Sequence, residues 1–253
     1  MSAPPRVLAI AGSDSSGGAG IQADIKTITM LGGYAMTAIT AVTAQNSIGV
    51  QRIHPMTPEL VREQFQACES DIGIDAIKIG MLGSAAQAEM VWDLLIGQPD
   101  DLPIVFDPVL QSSSGTTLVD RDTMLAFDRI MELATLTTPN VAELEALGGD
   151  EGMARRGVTY LAKGGDAEGP QVEDRLVRPG MADRVWSSPR IVTRHTHGTG
   201  CTLSSAIATL LARRLPLEDA SDGARQFVRA AILAAPGFGA GGGPLGHAQA
   251  REG

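Results

Sequence analysis

Val7-Leu8-Ala9-Ile10-Ala11-Gly12-Ser13-Asp14-Ser15-Ser16-Gly17-Gly18-Ala19-Gly20 decides the class of fold. The apolar run Val7 to Ala11 fits a buried parallel strand. Gly12 to Gly20 reads as a loop rich in glycine and hydroxyls, and Ile21 to Leu31 as the helix it enters. The loop has neither the Gly-x-Gly-x-x-Gly spacing of a dinucleotide fingerprint nor the Gly-Lys-Ser/Thr of a P-loop, so it is a ligand loop of neither kind. The same grammar recurs down the chain. Strands are expected at Tyr34 to Val42, Gly49 to Ile53, Asp75 to Gly80, Pro103 to Val109, Leu136 to Asn140 and Tyr160 to Gly165. Helices are expected from Thr57-Pro58, from Ser84 to Ile96, from Asp120 to Leu133 and from Asn140, whose Glu143 sits where a capping-box acid belongs. Val172 to Val177 and Arg184 to Trp186 suggest a hairpin around Pro179-Gly180. Such alternation indicates an α/β fold with a mostly parallel sheet, and functional residues belong at the carboxyl ends of its strands. Gly12, Gln45, Met81, Asp107 and Asn140 all follow strands.

Bulk properties narrow the function. The 253 residues, 43% of them hydrophobic, are ample for a core, with no repeat and no interdomain linker, so a single domain over residues 1–253 is expected. A net charge of −9 argues against nucleic acid and anionic membrane as partners. No signal peptide or membrane-spanning run is evident, which suggests a cytoplasmic protein. Two cysteines, Cys68 and Cys201, make neither a disulfide framework nor a zinc spacing.

Thr196-His197-Gly198-Thr199-Gly200-Cys201-Thr202 is the second informative stretch. Leu203, Ile207, Leu210 and Leu211 follow at helical spacing, so the glycines open a helix. Both Gly198 and Gly200 can take positive φ and admit a ligand close to the backbone. Unpaired N–H groups and a dipole worth about half a positive charge make such a terminus an anion site. The same environment is expected to lower the Cys201 thiol pKa. Pro236 to Pro244, dense in glycine, reads alone as a flexible tail.

These residues resemble the hydroxymethylpyrimidine/phosphomethylpyrimidine kinases of thiamine biosynthesis. The resemblance rests on Ala11 to Asp24, Thr43-Ala44-Gln45-Asn46, Lys78-Ile79-Gly80-Met81-Leu82, Asp107-Pro108-Val109, Thr138-Pro139-Asn140-x-x-Glu143, Lys163-Gly164-Gly165, His197 to Ser204 and Gly243 to His247. It covers nearly the whole chain, in order. It implies a ribokinase-like three-layer sandwich, a mostly parallel central sheet flanked by helices with a small β-flap, in a homodimer. ATP would phosphorylate an aminopyrimidine's hydroxymethyl group and then the resulting monophosphate.

Site roles follow from the resemblance. Gly198, Thr199, Gly200 and Cys201 would form the anion hole, with Thr199 also on the nucleotide and Cys201 as base where sugar kinases place an aspartate. Asp107 and Glu143 would help hold Mg²⁺ through waters, and Asn140 and Lys163 would contact nucleotide phosphates. Gly12, Gln45, Met81 and Val109 would line the pyrimidine. Gln45 can accept from an exocyclic amine and donate to a ring nitrogen at once. Two departures stand out: Gly148 to Gly157 is shorter than the family's usual helical segment, and Asp166 replaces a histidine. The competing readings are a pyridoxal kinase of the same superfamily and a non-catalytic vitamin-binding protein. A sugar kinase is disfavoured by the cysteine at 201.

Overall fold

The computed structural model describes residues 3–110 and 121–250. Asp120, expected to open a helix, lies outside the described residues. β1 (Arg6–Asp14) feeds α1 (Gly20–Met30), and β2 (Tyr34–Gln45) returns parallel to β1. β3 (Val50–Pro55) folds back antiparallel on β2. After α2 (Pro58–Asp71) the chain crosses to the other side of β1. There it lays down β4 (Ala76–Ile79), α3 (Ala85–Ile96), β5 (Ile104–Phe106), α4 (Arg121–Leu133) and β6 (Leu136–Thr137). Next come α5 (Val141–Ala146), α6 (Gly149–Arg156) and β7 (Tyr160–Ala162). The expected hairpin, β8 (Gln171–Val177) and β9 (Arg184–Pro189), extends the same sheet antiparallel to β7. α7 (Thr199–Ala212) and α8 (Leu217–Leu233) complete the helices. Among the described residues nine strands run in the order β3-β2-β1-β4-β5-β6-β7-β8-β9, with β2 to β7 mutually parallel through β1 apart from edge strand β3.

Alternation along the central strands builds two cores. Leu8, Ile10, Ile77, Ile79, Ile104 and Phe106 face α2, α3, α4 and α6, where Phe65, Val91, Phe127 and Met153 pack. Val7, Ala76 and Val105 face α1, α7 and α8, against Ile28, Ile207 and Ala224. Helix starts obey their local chemistry. Thr57 accepts from the Leu60 N–H with Pro58 in the first turn, Ser84 accepts from Gln87, and Asn140 and Glu143 make a reciprocal capping box with both bonds at 2.8 Å.

Several boundaries differ from expectation, each for a tertiary reason. β1 continues through Gly12 to Asp14 and β2 through Gln45, because the two strands stay paired as far as Asp14 and Thr43 despite an irregularity after Ala11. The short segment from Gly148 still forms α6, entered and left through glycines at φ +92° and +64°. The glycine tail is anchored: Pro244 bridges His197, Gly241 and Gly239 close on Ser47, and His247 is buried.

Phe106 and Phe127 meet edge to face, ring centroids 5.0 Å apart, beneath the strand that delivers Asp107. Phe127→Ala is expected to lower the free energy of unfolding by about 3–5 kcal/mol, read from urea unfolding.

Candidate active site

β1 is where successive crossovers diverge, with β2 on one side and β4 on the other, and ligands of open α/β sheets bind in the crevice such a reversal leaves. A cavity of about 710 Å³ lies there and extends along the carboxyl ends toward β8 and β9. All twelve residues singled out from sequence line it: Gly12, Gln45, Met81, Asp107, Val109, Asn140, Glu143, Lys163, Gly198, Thr199, Gly200 and Cys201.

One end of the cavity is formed by Gly12, Gln45, Met81 and Val109. Gly12 leaves room for Met81, whose Cε would lie 2.5 Å from any Cβ at that position. Gln45, at the end of β2, accepts from the Thr43 hydroxyl at 3.2 Å. Its amide nitrogen lies 3.4 Å from His197 Nε2. His197 in turn is 2.8 Å from Asp14 Oδ2, and the same carboxylate accepts from the N–H groups of Ser16, Gly18 and Ala19. Burial alone would raise the Asp14 pKa, but the bonds from His197, Ser16 and Ala19 outweigh it and hold it at about 2. As a permanent carboxylate it requires His197 Nε2 to be a donor.

The middle of the cavity is the turn from Gly198 to Cys201. Gly198 has φ +88°, and a Cβ there would stand 1.9 Å from the Gly18 carbonyl oxygen. The expected left-handed glycine is therefore Gly198 alone. Gly200 already belongs to the first turn of α7, which starts at Thr199 rather than after Thr202. Gly200 is small for a different reason: its Cβ position is 3.3 Å from both Asp107 Oδ2 and Lys163 Nζ. Thr202 holds the turn by donating to the Gly198 carbonyl at 2.8 Å, and His247 Nε2 is 2.9 Å from the same hydroxyl. Burial drives the His247 pKa down to about 4, so its ring is neutral at ordinary pH.

Charge collects beside the turn. Lys163 Nζ donates to Asp107 Oδ1 at 2.7 Å and is 3.6 Å from Glu143 Oε2, while Thr138 donates to Asp107 Oδ1 at 3.0 Å. Burial would lower the Lys163 pKa, but the two carboxylates raise it. Burial also raises Glu143. Among the described residues no group of three or more His, Cys, Asp or Glu gathers that would hold a metal by itself. Two carboxylates next to an anion turn do fit Mg²⁺, which takes one or two protein oxygens and completes its shell with water and phosphate.

Cys201 departs from expectation in its electrostatics. Burial pushes its thiol up to about 11, with Asp24 and Asp107 adding to the rise, against the lowering effects of Lys78 and the Gly20 N–H. Desolvation outweighs the helix terminus. Lys78 and Asp24, both buried, are further charged residues near the site that the motifs do not single out. Nor do the motifs single out Asp14 and His197 as partners, or the far wall. There Asp174 accepts from the Gly164 N–H and from Arg225, and Arg190 donates to the carbonyls of Gly165, Ala167 and Gly169. The motifs Ala11 to Asp24 and Lys78 to Leu82 contained the first three, but a lysine inside an apolar strand carries no positional signal until its partner is known. Asp166 lines the same end of the cavity.

A phosphomethylpyrimidine kinase profile matches residues 14–246, nearly all of this framework. The chain belongs to the phosphomethylpyrimidine kinase family. A hydroxymethylpyrimidine/phosphomethylpyrimidine kinase of Streptomyces coelicolor is 43% identical, over 96% of this chain and 94% of that one. The chain spans roughly a third to a half of the length of multifunctional thiamine-biosynthesis relatives that it also matches. Among solved structures, a phosphomethylpyrimidine kinase from Clostridium difficile is 34% identical with a TM-score of 0.75, covering 90% of this chain and 99% of that one. An ADP complex of Bacillus subtilis pyridoxal kinase is 30% identical with a TM-score of 0.86, covering 97% and 98%. The phosphomethylpyrimidine kinase framework is thus the ribokinase-like fold expected from the motifs, and the chain is a kinase.

Two outcomes follow from the geometry. Gly198→Ala, strained at positive φ and abutting Gly18, is expected to abolish turnover, with circular dichroism reporting whether the remaining fold survives. Asp14 stabilises the fold above its unfolded-state pKa, and that contribution is lost as pH falls from about 4 toward 2, an effect of about 2 kcal/mol. Asp14→Asn is expected to flatten this part of the stability–pH curve measured by chemical denaturation.

Proposed function

We propose that this chain transfers the γ-phosphoryl group of ATP to the hydroxymethyl oxygen of 4-amino-5-hydroxymethyl-2-methylpyrimidine, and then a second one to the phosphate of the product. The observation that carries this reading is the convergence in one cavity of an amide-bearing flat subsite, Gly12-Gln45-Met81-Val109, with the Gly198–Cys201 anion turn and the Asp107-Glu143-Lys163 cluster. Phosphoryl transfer asks the protein mainly to position reactants and neutralise charge.

Each residue then has a task. Gln45 reads the exocyclic amine and a ring nitrogen, Met81 packs on the ring, and Gly12 and Val109 close its faces. The N–H groups at Gly198, Thr199, Gly200 and Cys201 receive the transferring phosphoryl oxygens. Lys163 and Asn140 hold the nucleotide phosphates, with Thr199 beside them. Asp107 and Glu143 would hold Mg²⁺, which would neutralise phosphate charge. Cys201 as thiolate takes the hydroxyl proton as the oxygen–phosphorus bond forms and ADP departs. We further propose one catalytic unit along the chain, acting as a homodimer in the cytoplasm. No described helix is long and apolar enough to cross a membrane.

A pyridoxal kinase is the second reading, supported by the TM-score of 0.86 to the Bacillus subtilis enzyme, since pyridoxal also carries a hydroxymethyl group on a flat nitrogen ring. Coupled ADP release with hydroxymethylpyrimidine, its monophosphate and pyridoxal separates them. Both pyrimidines are expected to turn over, Gln45→Ala chiefly raising KM and Cys201→Ala lowering kcat by about 10²–10⁴-fold. Turnover of pyridoxal alone overturns the substrate assignment, and turnover of none leaves a binding protein. With the thiol pKa at about 11, its ionised fraction grows about tenfold per pH unit below that value. The parental kcat is therefore expected to climb between about pH 7 and 9, and the climb to vanish in Cys201→Ala.

A further inference from the structure

The mechanism above leaves one fully buried charge pair unused. Lys78 and Asp24 have zero solvent exposure, and Lys78 Nζ donates to both Asp24 oxygens at 3.0 Å. Taking two charges out of water is costly, and a pair of this kind is weak evidence of stabilisation. Its placement is informative. Lys78 lies on β4 on the face that carries α1 and α7, the same face as Ala76. Its ammonium lies against Gly80 at the carboxyl end of the strand, 2.7 Å from where a Cβ would stand. Asp24 lies one turn into α1 from Gly20, whose N–H is directed at the Cys201 sulfur. Ser205, which donates to Asp24 at 2.7 Å, lies one turn into α7 from Cys201. The pair thus sits at the junction of the two helices whose first turns face the cavity.

We propose that Lys78 is a positioning residue for phosphoryl transfer. Held in place by Asp24, its charge lies beneath the anion turn, where it stabilises negative charge developing at Cys201 and on the transferring group. The two charges are not placed alike: Lys78 Nζ stands beside Gly80 at the carboxyl end of β4, whereas Asp24 is set one turn into α1 and is also bound by Ser205. In a water-excluded core a fixed charge is screened little and needs no reorganisation as the reaction proceeds. Gly80 lets the ammonium reach that far up the strand.

The inference rests on the phosphoryl-transfer reading, so the parent enzyme is assayed first. An inactive parent overturns that reading; an active parent with an unimpaired variant overturns only the role of Lys78. The variant is Lys78→Met with Asp24→Asn, which removes both charges at nearly constant volume, a change buried pairs often tolerate. Its kcat with hydroxymethylpyrimidine is expected to fall at least about tenfold. Its affinity for Mg·ADP, by calorimetry, is expected to stay within about twofold of the parent's, while its affinity for Mg·ADP with aluminium fluoride, a mimic of the transferring group, falls in step with kcat. A kcat within about threefold of the parent's, or a loss matched by an equal loss of Mg·ADP affinity, overturns the proposal. If the double variant does not fold, Lys78→Gln with Asp24→Asn, which keeps a neutral hydrogen-bonded pair in the same place, decides by the same readouts. A kcat lowered at least about tenfold with parental Mg·ADP affinity supports the proposal, and a kcat within about threefold of the parent's overturns it.

Discussion

Backbone against backbone at Gly198 and Gly18 is the contact on which the site depends. It brings the start of α7 onto the loop that starts α1, with no room for a side chain between them. Asp14 gathers the loop by accepting from Ser16, Gly18 and Ala19, and reaches His197 on the other side of the seam. Thr202 and His247 fix the turn from behind. Both helices start at this seam, α1 at Gly20 and α7 at Thr199 after Gly198, so the positive ends of two helix dipoles meet in one space. Neither loop alone would make more than an ordinary helix start.

The architecture was legible in sequence wherever a local rule governs. Strand runs such as Val7 to Ala11, the Thr57-Pro58 and Ser84 helix starts, and the Asn140/Glu143 capping box need only neighbours in the chain to form. Motif order then placed twelve residues on one cavity. Legibility failed where the deciding partner was remote. Nothing near Lys78 announces Asp24, 54 positions earlier, or Ser205 beyond it. The thiol at 201 was read from its helix terminus, whereas burial among Asp24 and Asp107 governs it. Gly200 was read as a backbone device, yet its smallness serves Asp107 and Lys163 across the cavity.

The two ends of the cavity differ in how they are built. The end at Gly12 and Gln45 is walled by the central strands and by Met81, and those strands are fixed by the two cores. The far end rests on polar tethers: Asp174 and Arg225, with Arg225 also over the Trp186 ring at 5.4 Å, and the Arg190 clamp on a loop of carbonyls.

The anchored tail bears on how the protein folds. His247 completes the Thr202 hydroxyl from 45 positions downstream, and His197 meets Asp14 across a separation of 183. Contacts this distant in sequence form late, after the loops between them have been closed. One face of β1, β4 and β5 is covered only once α7 and α8 are in place, and the seam at Gly198 is completed only by residues near 247. The cavity is therefore a product of the whole chain's closure, assembled from its first strand and its last residues together.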